Sequence, residues 1–208
     1  MEPSEISYNR DLWLRLFETT NQKLRMTDVG VYSITHPYMA MQFVVSIMAI
    51  VRDIGVQAKT ATDSTGGLGG MSRYICIFFE KLTVVEKNSL HFDICKSNLQ
   101  ILSGGRNITF VKLSFLEYME KMPPQDMIFC DPPWGGSIYK SQTHNSLYLD
   151  GKNVCDIINV VFSRGICKVF ALMAMINYNF DDLDMINPDI TYKVGNVRNV
   201  YLICFYKK

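Results

Sequence analysis

The stretch "KTATDSTGGLGGMSRYICIFFE", residues 59–80, decides how the rest of the chain is read. Residues 59–64 read as a strand that ends in a glycine-rich turn, and residues 71–80 as a helix. Gly66, Gly67, Gly69 and Gly70 let the backbone pass close to a ligand and let the following helix pack tightly on the strand. Working outward, LTVVEK (82–87) is a β-branched strand, and NSLHFDICKSNLQIL (88–102) is a helix capped by Asn88. ITFVKL (108–113), DMIFC (126–130), CKVFALMA (167–174) and NVYLICFYK (199–207) read as further strands. Strand–helix alternation predicts an open, mainly parallel sheet with helices on both faces. Ligands of such sheets bind outside the carboxyl ends of the strands. That rule brings the glycine turn, Glu86, Ser114 and the segment Asp131–Trp134 to one edge.

Composition narrows the classes. With 208 residues, 48% hydrophobic and 20% charged, the chain reads as one globular unit with room for a substantial core. A net charge of +1 argues against a broad surface that tracks phosphates. The six cysteines form no C-x-x-C pair and the three histidines are scattered, so no metal site is expected. Buried, reduced thiols fit a nuclear or cytoplasmic setting. The start MEPSEISYNRDLW is polar and unlike a signal peptide. The apolar run Met39–Val51 contains Gln42 and is too short to span a bilayer. Residues 1–56, with helices over about 8–20 and 38–54, read as an extension laid over the ligand edge of a core at 57–208.

The glycine loop lacks the pattern of a dinucleotide fingerprint, which needs a glycine three places after Gly69, where Ser72 stands. Asp63, three residues before the first loop glycine, would repel a pyrophosphate. A cationic sulfonium ligand reverses that argument. Glu86, 23 residues beyond Asp63, can accept both hydroxyls of a ribose. The competing reading is a plain strand–turn–helix with a solvated Glu86.

The segment IFCDPPWGG, residues 128–136, follows 45 residues after Glu86 in the sense that Asp131 stands there. An exocyclic amine conjugated with a purine is a poor nucleophile. Asp131 and the Pro132 carbonyl would accept its N–H, orient the nitrogen and take up developing positive charge. Two prolines hold those acceptors stiff. Trp134 offers a flat face for a base, worth roughly 1–3 kcal/mol. The competing reading is a strand-ending turn with a core tryptophan.

Taken together, Asp63–Gly70, Glu86 and Asp131–Gly136 resemble the amino-methyltransferases that use S-adenosylmethionine (SAM). DPPWGG is similar to the trimethylguanosine synthase family of cap guanine-N2 methyltransferases. WLRLFETTNQKLRM and VYSITHP resemble that family's helical extension, so the likeness spans roughly residues 8–140. It implies a Rossmann-like α/β fold with a mainly parallel seven-stranded sheet, SAM as cofactor, and a capped RNA as substrate. By this resemblance Asp63, Gly67, Gly69, Glu86, Thr35 and Asp131 contact SAM, with Asp131, Pro132 and Trp134 serving the transfer. Ser114 stands where the family carries an acid against the adenine amino group. The cationic 7-methylguanine would lie on Trp134 beside Pro133. Lys23, Arg25, Tyr139, Lys140 and Arg198 are candidates for the triphosphate. The family's Pro-Arg-Asn-like segment has no match in LMAMINYN (172–179).

Two other readings stay open: a guanine-N2 or adenine-N6 methyltransferase acting on ribosomal RNA, transfer RNA or DNA, and a non-catalytic cap-binding subunit. The compact chain is expected to act as a monomer, free of membranes, and would suit a protist or a large DNA virus.

Overall fold

The computed structural model describes residues 2–136 and 143–207. Three helices come first: α1 (Arg10–Phe17), α2 (Gly30–Ser33) and α3 (Pro37–Asp53). The chain then alternates β1 (Thr60–Asp63), α4 (Ser72–Phe78), β2 (Lys81–Val85), α5 (Ser89–Leu102), β3 (Ile108–Val111), α6 (Phe115–Met119) and β4 (Gln125–Cys130). A small hairpin, β5 (Tyr148–Leu149) and β6 (Lys152–Asn153), leads into α7 (Val154–Ser163) and β7 (Cys167–Met175). A 3-10 helix (Phe180–Met185) precedes β8 (Thr191–Val197) and β9 (Val200–Tyr206).

Seven strands form one sheet in the order β3-β2-β1-β4-β7-β9-β8. β1, β2, β3, β4 and β7 are parallel, whereas β9 runs antiparallel between β7 and β8. The chain leaves β1 on one side towards β2 and β3, then returns to the other side at β4. Strand order therefore reverses between β1 and β4, and a crevice opens outside their carboxyl ends. β4 is buried along its whole length, as a central strand covered on both faces must be.

Each face has its own core. On one, Phe43 and Ile47 of α3 and Ile75 of α4 pack with Ala61, Met127 and Val169 of the sheet. On the other, Ile158 and Val161 of α7 and Phe115 of α6 meet Ile128, Phe170 and Phe205. Removing one such large side chain from water stabilises the fold by about 1.5–3 kcal/mol. A third cluster joins Trp13, Phe17, Leu24 and Met26 to Leu68 and Ile94, fastening the first helix and its loop to the glycine turn. Trp13 also donates its indole N–H to the Leu24 carbonyl at 3.0 Å, so it is a packing residue.

The apolar runs of the sequence predict six of the seven strands of this sheet but not β8. TYKVGNV carries Lys193 and Gly195, is exposed nearly throughout, and has no apolar run. It becomes a strand by pairing with β9 across a two-residue turn, where Arg198 and Asn199 adopt φ of 50° and 66°. Such a left-handed pair matches the twist of a hairpin. Since β9 is antiparallel and Val200 pairs with Met175, this turn lies at the same sheet edge as the ends of β4 and β7. α6 was missed too, and its start depends on a capping box between Ser114 and Glu117.

Candidate active site

The crevice is stitched together by the two hydroxyl residues that follow Asp63. Ser64 Oγ donates to the Phe129 carbonyl at 2.8 Å. Thr65 Oγ1 accepts the Asp131 N–H at 2.8 Å. These bonds fix the glycine turn against the Asp131–Trp134 segment. Neither Ser64 nor Thr65 was singled out from sequence, although small hydroxyl residues directly after a strand-ending acid were a visible signal.

The glycine turn has the geometry a close ligand requires. Gly66 N–H donates to the Val85 carbonyl at 2.8 Å. Gly67 and Gly69 have φ of +53° and +91°, values that side-chain-bearing residues rarely adopt. A Cβ on Gly70 would come within 2.7 Å of Ile34 Cγ1 and 3.1 Å of the Thr35 nitrogen. The extension thus touches the loop where only glycine fits. We expect Gly70→Ala to push Ser33–Thr35 off the loop, lowering both the melting temperature and SAM affinity. Isothermal titration and thermal unfolding check this, and unchanged SAM affinity would separate the extension from the cofactor site.

Asp63 is buried, and both its oxygens are engaged. Oδ1 accepts the Thr65 N–H at 3.2 Å and Oδ2 accepts the Ser72 hydroxyl. Burial raises its carboxyl to about 6; the bonds from Ser72 and Thr65 oppose the rise, and the charge of Glu86 adds to it. Asp131 is half-buried as a residue, and loss of water around its carboxyl holds it well above the usual carboxylate range. The charge of Asp63 pushes the same way, and the Trp134 indole opposes it. Both acids line one narrow cavity, together with Thr35, Thr65, Gly66, Gly67 and Gly70. No lysine, arginine or histidine is among its described lining residues.

A cavity lined by two acids, glycine backbone and hydroxyls, and closed by apolar Ile34, Leu68, Met71 and Phe129, fits a cationic ligand with donor groups and an apolar part. The charged end of SAM has that chemistry, so the residues present suit it. Glu86 stands beside the loop rather than in this cavity. Its Oε2 accepts the Gly67 N–H at 2.8 Å and its Oε1 the Asn88 N–H at 2.7 Å. Each oxygen keeps a second lone pair for a ribose hydroxyl.

Other expected positions are placed differently. Ser114 Oγ accepts the Glu117 N–H at 3.2 Å as the α6 cap, and Ser114 is not among the described residues of the cavity. Pro132 is buried and Pro133 exposed. Trp134 packs against the cores of both sheet faces, which commits part of its ring to structure. Its remaining surface, with Pro133, His144 and Tyr148, borders an open groove next to the cavity. Lys23 is exposed in the loop after α1. Arg25 holds Glu5 in a two-point ion pair with bonds of 2.9 and 2.7 Å, so its guanidinium is already engaged. The Arg198 guanidinium lies 4.9 Å from the centre of the exposed Tyr38 ring, at the ligand edge. Tyr139 and Lys140 lie outside the described residues. Among the described residues no group of three acids, histidines or cysteines could hold a metal, and no helix is long and apolar enough to cross a membrane.

The fold is shared with yhhF of Escherichia coli, at 13% identity over 80% of this chain and 86% of that one, with a TM-score of 0.58. It is also shared with the 16S rRNA N2 G1207 methyltransferase RsmC of Thermus thermophilus, solved with AdoMet and guanosine. That likeness has 14% identity and a TM-score of 0.61, and covers 81% of this chain and 43% of RsmC. An uncharacterized protein, L320, of Acanthamoeba polyphaga mimivirus is 23% identical over 199 residues, covering 86% of this chain and 78% of L320. The α/β architecture is that of the Rossmann-like methyltransferases, whose methyl donor is SAM. Residues 58–205, most of the chain and nearly all of its sheet, match the profile of one such family. On the match across that span, the chain belongs to the RNA cap guanine-N2 methyltransferase family.

Proposed function

We propose that this protein transfers methyl groups from SAM to the exocyclic N2 of a 7-methylguanosine RNA cap, giving a di- or trimethylguanosine end. The observation that carries this reading is the placing of Asp131 and Trp134 on one rigid turn. The acid lines the cofactor-side cavity and the indole borders the adjoining groove. When bound, the cofactor supplies an electrophilic methyl group on a positively charged sulfur. Asp131 and the Pro132 carbonyl accept the N–H bonds of the attacking amine and aim its lone pair at that methyl. As the nitrogen takes the methyl it would shed a proton towards these acceptors, and the cofactor, keeping the electron pair of its broken S–C bond, would leave as a neutral thioether. Asp131 thereby meets positive charge as it develops, which is where a preorganised acceptor contributes most. Trp134 holds the base flat, and N7-methylation strengthens its attraction to an indole face.

The weakly charged chain, at +1, supports a short ligand such as a cap over a long RNA tract. The mimivirus relative supports an origin in a large DNA virus. The experiment is methyl transfer from labelled SAM to m7GTP, to GTP and to an uncapped RNA oligomer. Transfer to m7GTP alone is the expected result. Transfer to uncapped RNA would replace the cap reading with an RNA guanine-N2 or adenine-N6 activity. Binding of m7GTP without transfer would point to a non-catalytic subunit.

A further inference from the structure

Two acids, Asp63 and Asp131, line one cavity that has no cation in its described lining. The surroundings of the pair offer little to offset its charge. From the loop, Thr65 gives one N–H to Asp63, and from α4, Ser72 gives a hydroxyl. From the end of β2, Glu86 adds a further negative charge. Cys95 of α5 and Cys130 of β4 are buried beside the acids and held in their neutral thiol form by burial. The Trp134 indole favours the Asp131 carboxylate. Lys87, next to Glu86, is engaged by Asp150 of the β5–β6 turn.

Two like charges that line one cavity, with no cation in its described lining, do not both ionise readily. Such a pair titrates as a unit, and its protons belong to the pair rather than to either residue. A ligand that brings positive charge into the cavity changes that balance, since it stabilises the doubly ionised state.

We propose that the unliganded cavity holds one proton shared between Asp63 and Asp131, and that binding of the cationic cofactor expels this proton to solvent. The pair then recognises the cofactor by its charge as well as its shape. Once the methyl group has left, the sulfur is a neutral thioether. The pair regains its preference for a proton, and S-adenosylhomocysteine (SAH) is held less tightly than SAM. The inference rests on SAM being the cofactor and is independent of which base receives the methyl.

The test is isothermal titration of the full chain without RNA, near pH 6, where the burial-raised Asp63 titrates. The titration is run in buffers of different ionisation enthalpy with SAM, SAH and sinefungin, whose amine places a positive charge where SAM has its sulfonium. We expect close to one proton released per SAM or sinefungin bound, and markedly less with SAH. Linkage then requires SAM affinity to strengthen by up to about tenfold per pH unit below the titration of the pair, and to level off above it. In Asp131→Asn the proton release and the preference for SAM over SAH should both shrink.

A second readout needs no variant. Raised folded-state carboxyls bind more protons than the unfolded chain between about pH 4 and 6, so the contribution of the pair to the stability of the unliganded protein should fall as pH rises through that window, against the opposite contributions of His91, Glu5 and Asp126. Saturating SAM should flatten the dependence. Equal proton release with SAM and SAH, or none with either, would overturn the proposal. Failure of the cap reading would show instead as methyl transfer to uncapped RNA, with these titrations unaffected.

Discussion

Asp131→Ala is expected to lower kcat about 10²–10³-fold, the loss typical when a preorganised group facing transition-state charge is removed. Asp131 is fixed before any substrate arrives. Its N–H is held by Thr65 at 2.8 Å, and Pro132 and Pro133 follow it directly. An acceptor fixed in this way acts mainly as positive charge grows on nitrogen, so kcat and kcat/KM should fall together while KM for the RNA changes little. Asp131→Asn keeps one carbonyl oxygen at the same place and should recover part of the loss. Steady-state kinetics on m7GTP decide the matter. A kcat within about threefold of wild type for the alanine variant would remove Asp131 from the transfer step.

Trp134→Ala is expected to weaken use of the capped substrate roughly 5–150-fold in kcat/KM, the equivalent of about 1–3 kcal/mol of base stacking. SAM affinity should change less, because Trp134 borders the groove and reaches the cofactor-side cavity only through its indole bond to the Asp131 carboxyl. The residue also packs against the cores of both sheet faces, so the alanine variant should melt at a lower temperature. Trp134→Phe separates the two effects, since it keeps an aromatic face and most of the packing. The phenylalanine variant should retain most of the SAM affinity and stability, with a moderate loss on m7GTP. Equal loss of SAM and cap binding in both variants would show that the indole does not serve the base.

Much of the site was legible because its signals are local. The acid at the end of β1, the glycine turn, the acid after β2 and the rigid Asp131–Trp134 turn each lie within a few consecutive residues, and their order along the chain follows the order of the strands. The apolar β-branched runs of β2 and β3 and the buried run of β4 announce themselves in the same way. The rest depends on which partner a residue takes. β8 is a strand only because β9 pairs with it, and Ser114 is a helix cap because Glu117 turns back to it. Arg25 was a reasonable phosphate candidate until Glu5, 20 residues away, took its guanidinium.

By itself, then, the sequence determined the class of fold and the chemical groups presented at its ligand edge. Local periodicity, turn chemistry and strand-ending acids survive in any packing that keeps the strands parallel. Tertiary structure alone decided that Asp63 and Asp131, 68 residues apart, line one cavity without a cation in its described lining. It also decided that the extension rests on Gly70, and that part of the Trp134 ring belongs to the core. The reason is physical: burial and the approach of like charges are properties of a place in space. Only when β1 and β4 lie side by side at the point of strand reversal do two separate acids become one titrating pair.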